Sequence, residues 1–97
     1  MVDFLTTQVR NANFTTTDSL HKNARACIVN AMGYVSPTPR LEALGHRAMS
    51  AALAFAAKLT MLNSAEEERR VALSALVEFR AELEIAAPSK MARHLGF

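Results

Sequence analysis

Cys27, His21, His46 and His94 are the side chains of this sequence best suited to nucleophilic or metal chemistry. A nucleophile needs a base beside it and a third group to orient that base. Cys27 falls instead on an apolar line of helical spacing: Leu20, Ala24, Cys27, Ile28, Ala31 and Val35. An apolar setting raises a thiol pKa and makes it less reactive, so Cys27 is expected in the core. The three histidines lie in three separate segments, with no His-Glu-x-x-His spacing and no second thiol. No metal site follows from them. Glu66, Glu67 and Glu68 open a helical stretch, where they match the positive end of the helix dipole rather than form an acid–base pair. With no Gly-rich phosphate loop either, the expectation is a protein without catalytic residues, metal or cofactor.

A second group of residues suits anion binding. His21, Lys22 and Arg25 cluster near a helix start and follow Arg10, Asn11, Asn13 and the run Thr15-Thr16-Thr17. A helix N-terminus offers free N–H groups and a partial positive charge. Phe14 is placed to stack on a base. Arg10, Asn13, Phe14, Lys22 and Arg25 are therefore the candidate residues for a small anionic ligand such as a nucleotide signal. The same residues have an ordinary use, because Thr and Asn before a helix serve as caps and turn formers.

The stretch Ile28 to Arg47 superficially suggests a helix-turn-helix, with Gly33 in the turn and Arg40, His46 and Arg47 beyond it. Val29 stands where a small residue is wanted, and Pro37 and Pro39 lengthen the turn. A net charge of +2 is small for a protein held by phosphate neutralisation, so DNA binding is the minor alternative. Protein binding needs no such motif. Met32, Met49, Met61 and Met91 supply adaptable apolar contacts, and Tyr34, Arg69, Arg70 and Arg80 are of types enriched at interface hot spots.

These side chains must be positioned by helices. Alanine is abundant, and three Gly and three Pro in 97 residues leave room for long ones. Residues 1–17 form an N-terminal segment, either a short helix or an extended arm, whose Phe4 and Phe14 are expected to pack on something. The first long helix covers 18–35, capped by Thr17 or Asp18 and ended by Gly33 and Pro37. The second covers 39–62, with Thr38 as cap and Pro39 at its first position. Its apolar residues Leu41, Leu44, Ala48, Ala51, Phe55, Leu59 and Leu62 form a seam of coiled-coil type. A second line of Met49, Leu53, Ala56 and Thr60 marks the helix as central. Gly45 costs about 1 kcal/mol in a helix interior, which a close helix crossing offsets. The third helix covers 64–87, opened by a Ser64/Glu67 capping box, with Glu66/Arg70 and Arg80/Glu84 spaced to pair. Residues 88–97 form a short helical tail.

The fold class is thus all-α: a single small three-helix bundle built on a long antiparallel hairpin. Charge is segregated, with six Lys/Arg against three acids in residues 1–62 and three against six in 63–87. Lys58 interrupts the Ala-rich run at 48–57, which is too short to span a bilayer. The start of the chain lacks the pattern of a signal peptide, so a soluble cytoplasmic protein is expected. A two-sided seam on so small a domain suggests a homo-oligomer. By size and by what it lacks, the chain is similar in type to the small accessory proteins of bacteriophages and mobile elements. The implied function is an inhibitor or adaptor that occupies a surface of a host protein.

Overall fold

A computed structural model describes residues 1–61 and 64–86. They form four α-helices: α1 (Val2–Asn11), α2 (Thr17–Met32), α3 (Pro39–Thr60) and α4 (Glu66–Ala86). A 3-10 turn, Phe14–Thr16, leads into α2, and there is no strand among the described residues. The all-α class read from the sequence is the class observed. The N-terminal segment resolves as a helix, so the bundle has four members rather than three. Leu62, Asn63 and the expected tail, with His94 and Met91, lie outside the described residues.

Each helix packs on its neighbours in chain order, and α1 closes the ring against α4. The ion pairs give the directions. Arg40–Glu82, Arg47–Glu78 and Lys58–Glu68 run in opposite numbering along α3 and α4, which are therefore antiparallel. Asp3–Arg80 and the bond from Arg69 to the Val9 carbonyl do the same for α1 and α4. Gln8 donates to Ser19 and accepts from Asn23, tying α1 to α2.

The local signals act as the sequence suggests at α3. The Thr38 hydroxyl accepts the Leu41 N–H at 3.1 Å, and Pro39 opens the helix where its missing N–H costs nothing. Leu41, Ala48, Phe55 and Leu59 of the expected seam are buried, while Leu44 and Ala51 are half-buried. Ala52 and Ala56 are buried in their place, because two neighbours, α2 and α4, cover the helix and the deepest line lies between the two apolar stripes. Gly45 sits at the expected close crossing. A Cβ there would lie 2.7 Å from Met32 Sδ on α2 and 3.3 Å from Phe79 on α4. Both sides of the seam are thus covered within one chain, so the seam gives no reason for a second subunit.

At α2 the caps differ from expectation. The helix starts at Thr17, with Thr16 at its cap position making no side-chain cap bond. Asn13 instead caps the preceding 3-10 turn: its Oδ1 accepts from Thr15 N–H at 2.9 Å, and Asn13 N–H donates to Thr16 Oγ1 at 3.1 Å. The helix ends at Gly33, whose N–H reaches back to Val29 and Asn30 carbonyls. At α4 the first ladder bond runs from Arg69 N–H to the Ala65 carbonyl, so Ala65 rather than Ser64 opens the helix. Glu67 bonds Arg70, and Arg69 reaches Glu66 at 3.4 Å, which replaces the expected Glu66/Arg70 pair. Arg80–Glu84 forms as spaced, at 2.9 Å.

The least local feature is the Arg69 guanidinium. Its Nη1 donates to the carbonyls of Val9 at 2.7 Å and Arg10 at 2.8 Å, and its Nη2 to Ala12 at 3.0 Å. Its centre lies 4.8 Å from the ring centroid of Phe55. A planar cation thus satisfies the orphan carbonyls at the negative end of α1 while resting on a core aromatic. Val2, Leu5, Val9 and Ala12 form the buried line of α1 beneath it.

Candidate functional site

Of the five candidate ligand residues, the structure brings two together. Lys22 and Arg25 line a shallow depression of about 420 Å³ on the outer face of α2, with His21, Ala26, Val29 and Asn30. Arg10, Asn13 and Phe14 are not part of it. Arg10 is exposed on α1 while its carbonyl is taken by Arg69. The Asn13 side chain accepts within its own turn. Phe14 is 62% exposed, and Phe4 is exposed too, against the expectation that both pack on something. For Phe4 the reason is register: α1 buries the line of Val2, Leu5 and Val9, and Phe4 falls off it, whereas Phe14 opens the 3-10 turn, which buries no residue. The helix start near the cluster is occupied by the 3-10 turn, so the imagined anion cradle is not assembled.

The cations separate cleanly by use. Arg40, Arg47, Lys58, Arg69, Arg70 and Arg80 each meet a carboxylate within the chain. Most of these pairs are exposed and worth at most about 1 kcal/mol each. They nevertheless commit the arginines that looked like interface anchors: Arg69 and Arg80 hold α1, and Arg70 holds Glu67. The Arg70 guanidinium holds the Glu67 carboxyl below its usual range through their hydrogen bond. Arg10, Lys22 and Arg25 make no ion pair among the described residues. Two of these three stand one helical turn apart on α2.

Sequence reasoning missed the apolar half of this surface. Val29 is 55% exposed, and Ala26 beside it is exposed. A second depression, about 540 Å³, continues past Val29 and Asn30 to Gly33, Tyr34 and Met1. The signal was present as spacing: Lys22, Arg25, Val29 and Gly33 lie three or four apart and so share one face. Val71, Val77 and Ile85 of α4 are exposed as well.

Elsewhere the candidate chemistry stays in place as structure. Cys27 is buried, and burial pushes its thiol pKa up. His21 and His46 are exposed on different helices. No cluster of His, Cys, Asp and Glu among the described residues is arranged to hold a metal ion. The helix that a helix-turn-helix would place in a groove, α3, is buried on two sides, and its Arg40 and Arg47 are turned to Glu82 and Glu78. No helix among the described residues is long and apolar enough to cross a membrane. Comparison of the chain with protein families, with characterised proteins and with solved structures yields no match.

Proposed function

We propose that this is a non-enzymatic binding protein that acts by occupying a surface of another protein, in the manner of the small inhibitors and adaptors encoded by phages and mobile elements. The observation that carries the reading is the outer face of α2, where Lys22, Arg25 and Val29 are exposed and perform no task in the fold. By contrast Arg40, Arg47, Lys58, Arg69 and Arg80 are spent on contacts between helices. Its place of action is the cytoplasm, the host's if the gene is a phage's. Affinity capture from host lysate, run beside a K22E/R25E variant, tests the reading. A stoichiometric partner that wild type retains and the variant loses is the expected result; no partner in either arm would sink it.

The anionic-ligand reading keeps Lys22 and Arg25 but loses Arg10, Asn13 and Phe14 from the site. A nucleotide at a hundred times its dissociation constant would add about 2.7 kcal/mol of stability. Melting curves that stay flat across a nucleotide panel would end that alternative. For a homo-oligomer, one surface to test is α4, where Val77 and Ile85 are exposed. Sedimentation at micromolar concentration, with V77E as comparison, decides whether a second copy sits there.

A further inference from the structure

We infer that the trough along α2 receives an acidic, amphipathic segment of a different protein: two carboxylates about one turn apart meet Lys22 and Arg25, and an apolar side chain beyond them rests on Val29. This deepens the binding-protein reading and rests on it. The argument begins with the acids of the chain. All nine lie among the described residues. Asp3, Glu66, Glu67, Glu68, Glu78, Glu82 and Glu84 are each held by an arginine or lysine of the same chain. Asp18 and Glu42 are left. A second copy therefore has little to offer Lys22 and Arg25 unless its own ion pairs break. Asp18 already stands one turn before Lys22 on the same helix, and Glu42 is on α3. The charge of the trough thus calls for carboxylates from another molecule.

The shape narrows the partner further. The two depressions share Val29 and Asn30, so they form one trough along the outer side of α2. Ala26 and Gly33 line it without bulk, letting a backbone come close. Cations stand towards its N-terminal half and Val29, Gly33 and Tyr34 towards the other. A helix laid along α2 would present residues at i, i+3 or i+4, and i+7 to Lys22, Arg25 and Val29. Arg25 can take a carboxylate in a bidentate fork, which Lys22 cannot. A nucleic-acid strand fits less well. Its affinity grows with the number of phosphates neutralised, and here two cations give way at once to an apolar residue.

The test uses the full chain and a displayed library of random 20-residue peptides. Selected peptides are expected to be rich in Asp and Glu around an apolar residue and to bind more weakly as salt rises. K22E/R25E should weaken binding about tenfold or more, V29D likewise, and K22A/R25A by less. Amide chemical shifts should move along residues 18–34. A54E, on the exposed side of α3, is the control and should change nothing. These α2 positions are exposed, so the variants should melt as wild type does. Binders indifferent to K22E/R25E, or shifts confined to another face, overturn the α2 assignment and leave the binding-protein reading standing. A library that yields no binder overturns the acidic-segment proposal, while capture from lysate separately decides the binding-protein reading. Self-association abolished by K22E/R25E would put a second copy in the trough and overturn the argument from charge. Binding of a DNA or RNA oligonucleotide in preference to every peptide would overturn it in favour of nucleic acid.

Discussion

Replacing Arg69 with alanine removes three hydrogen bonds that end on the last turn of α1 and a cation resting on Phe55. A hydrogen bond to a charged group is worth about 1.5–3 kcal/mol net, and a cation over an aromatic face about 0.5–1 kcal/mol at an exposed site. Simple addition would give well over 5 kcal/mol, which is too much. The Arg69 side chain is 19% exposed, so water can reach at least the Arg10 carbonyl once the side chain is gone. A loss of about 2–3 kcal/mol is the reasonable expectation. For a domain of this size that lowers Tm by roughly 10–20 °C. R69K keeps the charge without the planar fork and should recover less than half of the loss. R70A is the control, since among the described residues Arg70 meets only the exposed Glu67, and should melt as wild type does. Thermal melts followed by circular dichroism give the Tm values. Amide exchange should show the bonds of α1 opening first in R69A. If R69A melts within about 2 °C of wild type, the guanidinium is not what holds α1.

Three further outcomes follow from the packing. G45V places a branched side chain between Met32 and Phe79 and should cost about 2–3 kcal/mol by urea unfolding; G45A should cost less, since the helix gain of about 1 kcal/mol offsets part of the displacement of Met32 Sδ, 2.7 Å from the new Cβ, and of the Phe79 ring at 3.3 Å. A52L should destabilise by about 1–3 kcal/mol while A54L, two residues along on the exposed side, leaves the urea midpoint unchanged, which tests whether α3 is covered on both sides. Cys27 should resist a thiol reagent at neutral pH until denaturant is added. Because burial raises its pKa in the folded state, the unfolded chain loses the proton first; the Cys27 contribution is therefore full below the ordinary thiol pKa of about 8.5 and is lost as pH rises through the higher folded value. A C27A variant should lack that alkaline decline.

The parts of the fold legible in the sequence are those with strong local signals. Thr38-Pro39 marked the start of α3, and the three-four spacing from Leu41 through Phe55 to Leu59 marked its buried side. Gly45 marked a crossing because a glycine in a helix needs a compensating contact. The exact stripe was harder: Ala51 and Ala52 differ in burial only through how α2 and α4 straddle the helix, which no spacing within α3 encodes. Helix α1 was ambiguous for a different reason. Val2, Leu5, Val9 and Ala12 carry its period, but exposed Phe4 and Phe14 outweigh them by size. The Arg69 clamp joins residues nearly sixty apart and has no local signature at all. For the candidate surface, the sequence supplied Lys22 and Arg25. Val29 was legible only as a residue spaced to share their face; that it is exposed there follows from where the neighbouring helices lie.

The clamp also orders events on the ribosome. The carbonyls of Val9, Arg10 and Ala12 emerge 57 to 60 residues before the guanidinium that receives them. At about 5–20 residues per second, that is a wait of roughly 3–12 s. During it, α2 alone can shelter Val2, Leu5 and Val9, because α4 has not yet been made. The nascent bundle therefore carries an open apolar seam on α1 until α4 is made, and a chaperone that shields that seam would lose its target from the Val9 end first, as Arg69 docks, and from the Asp3 end only when Arg80 follows.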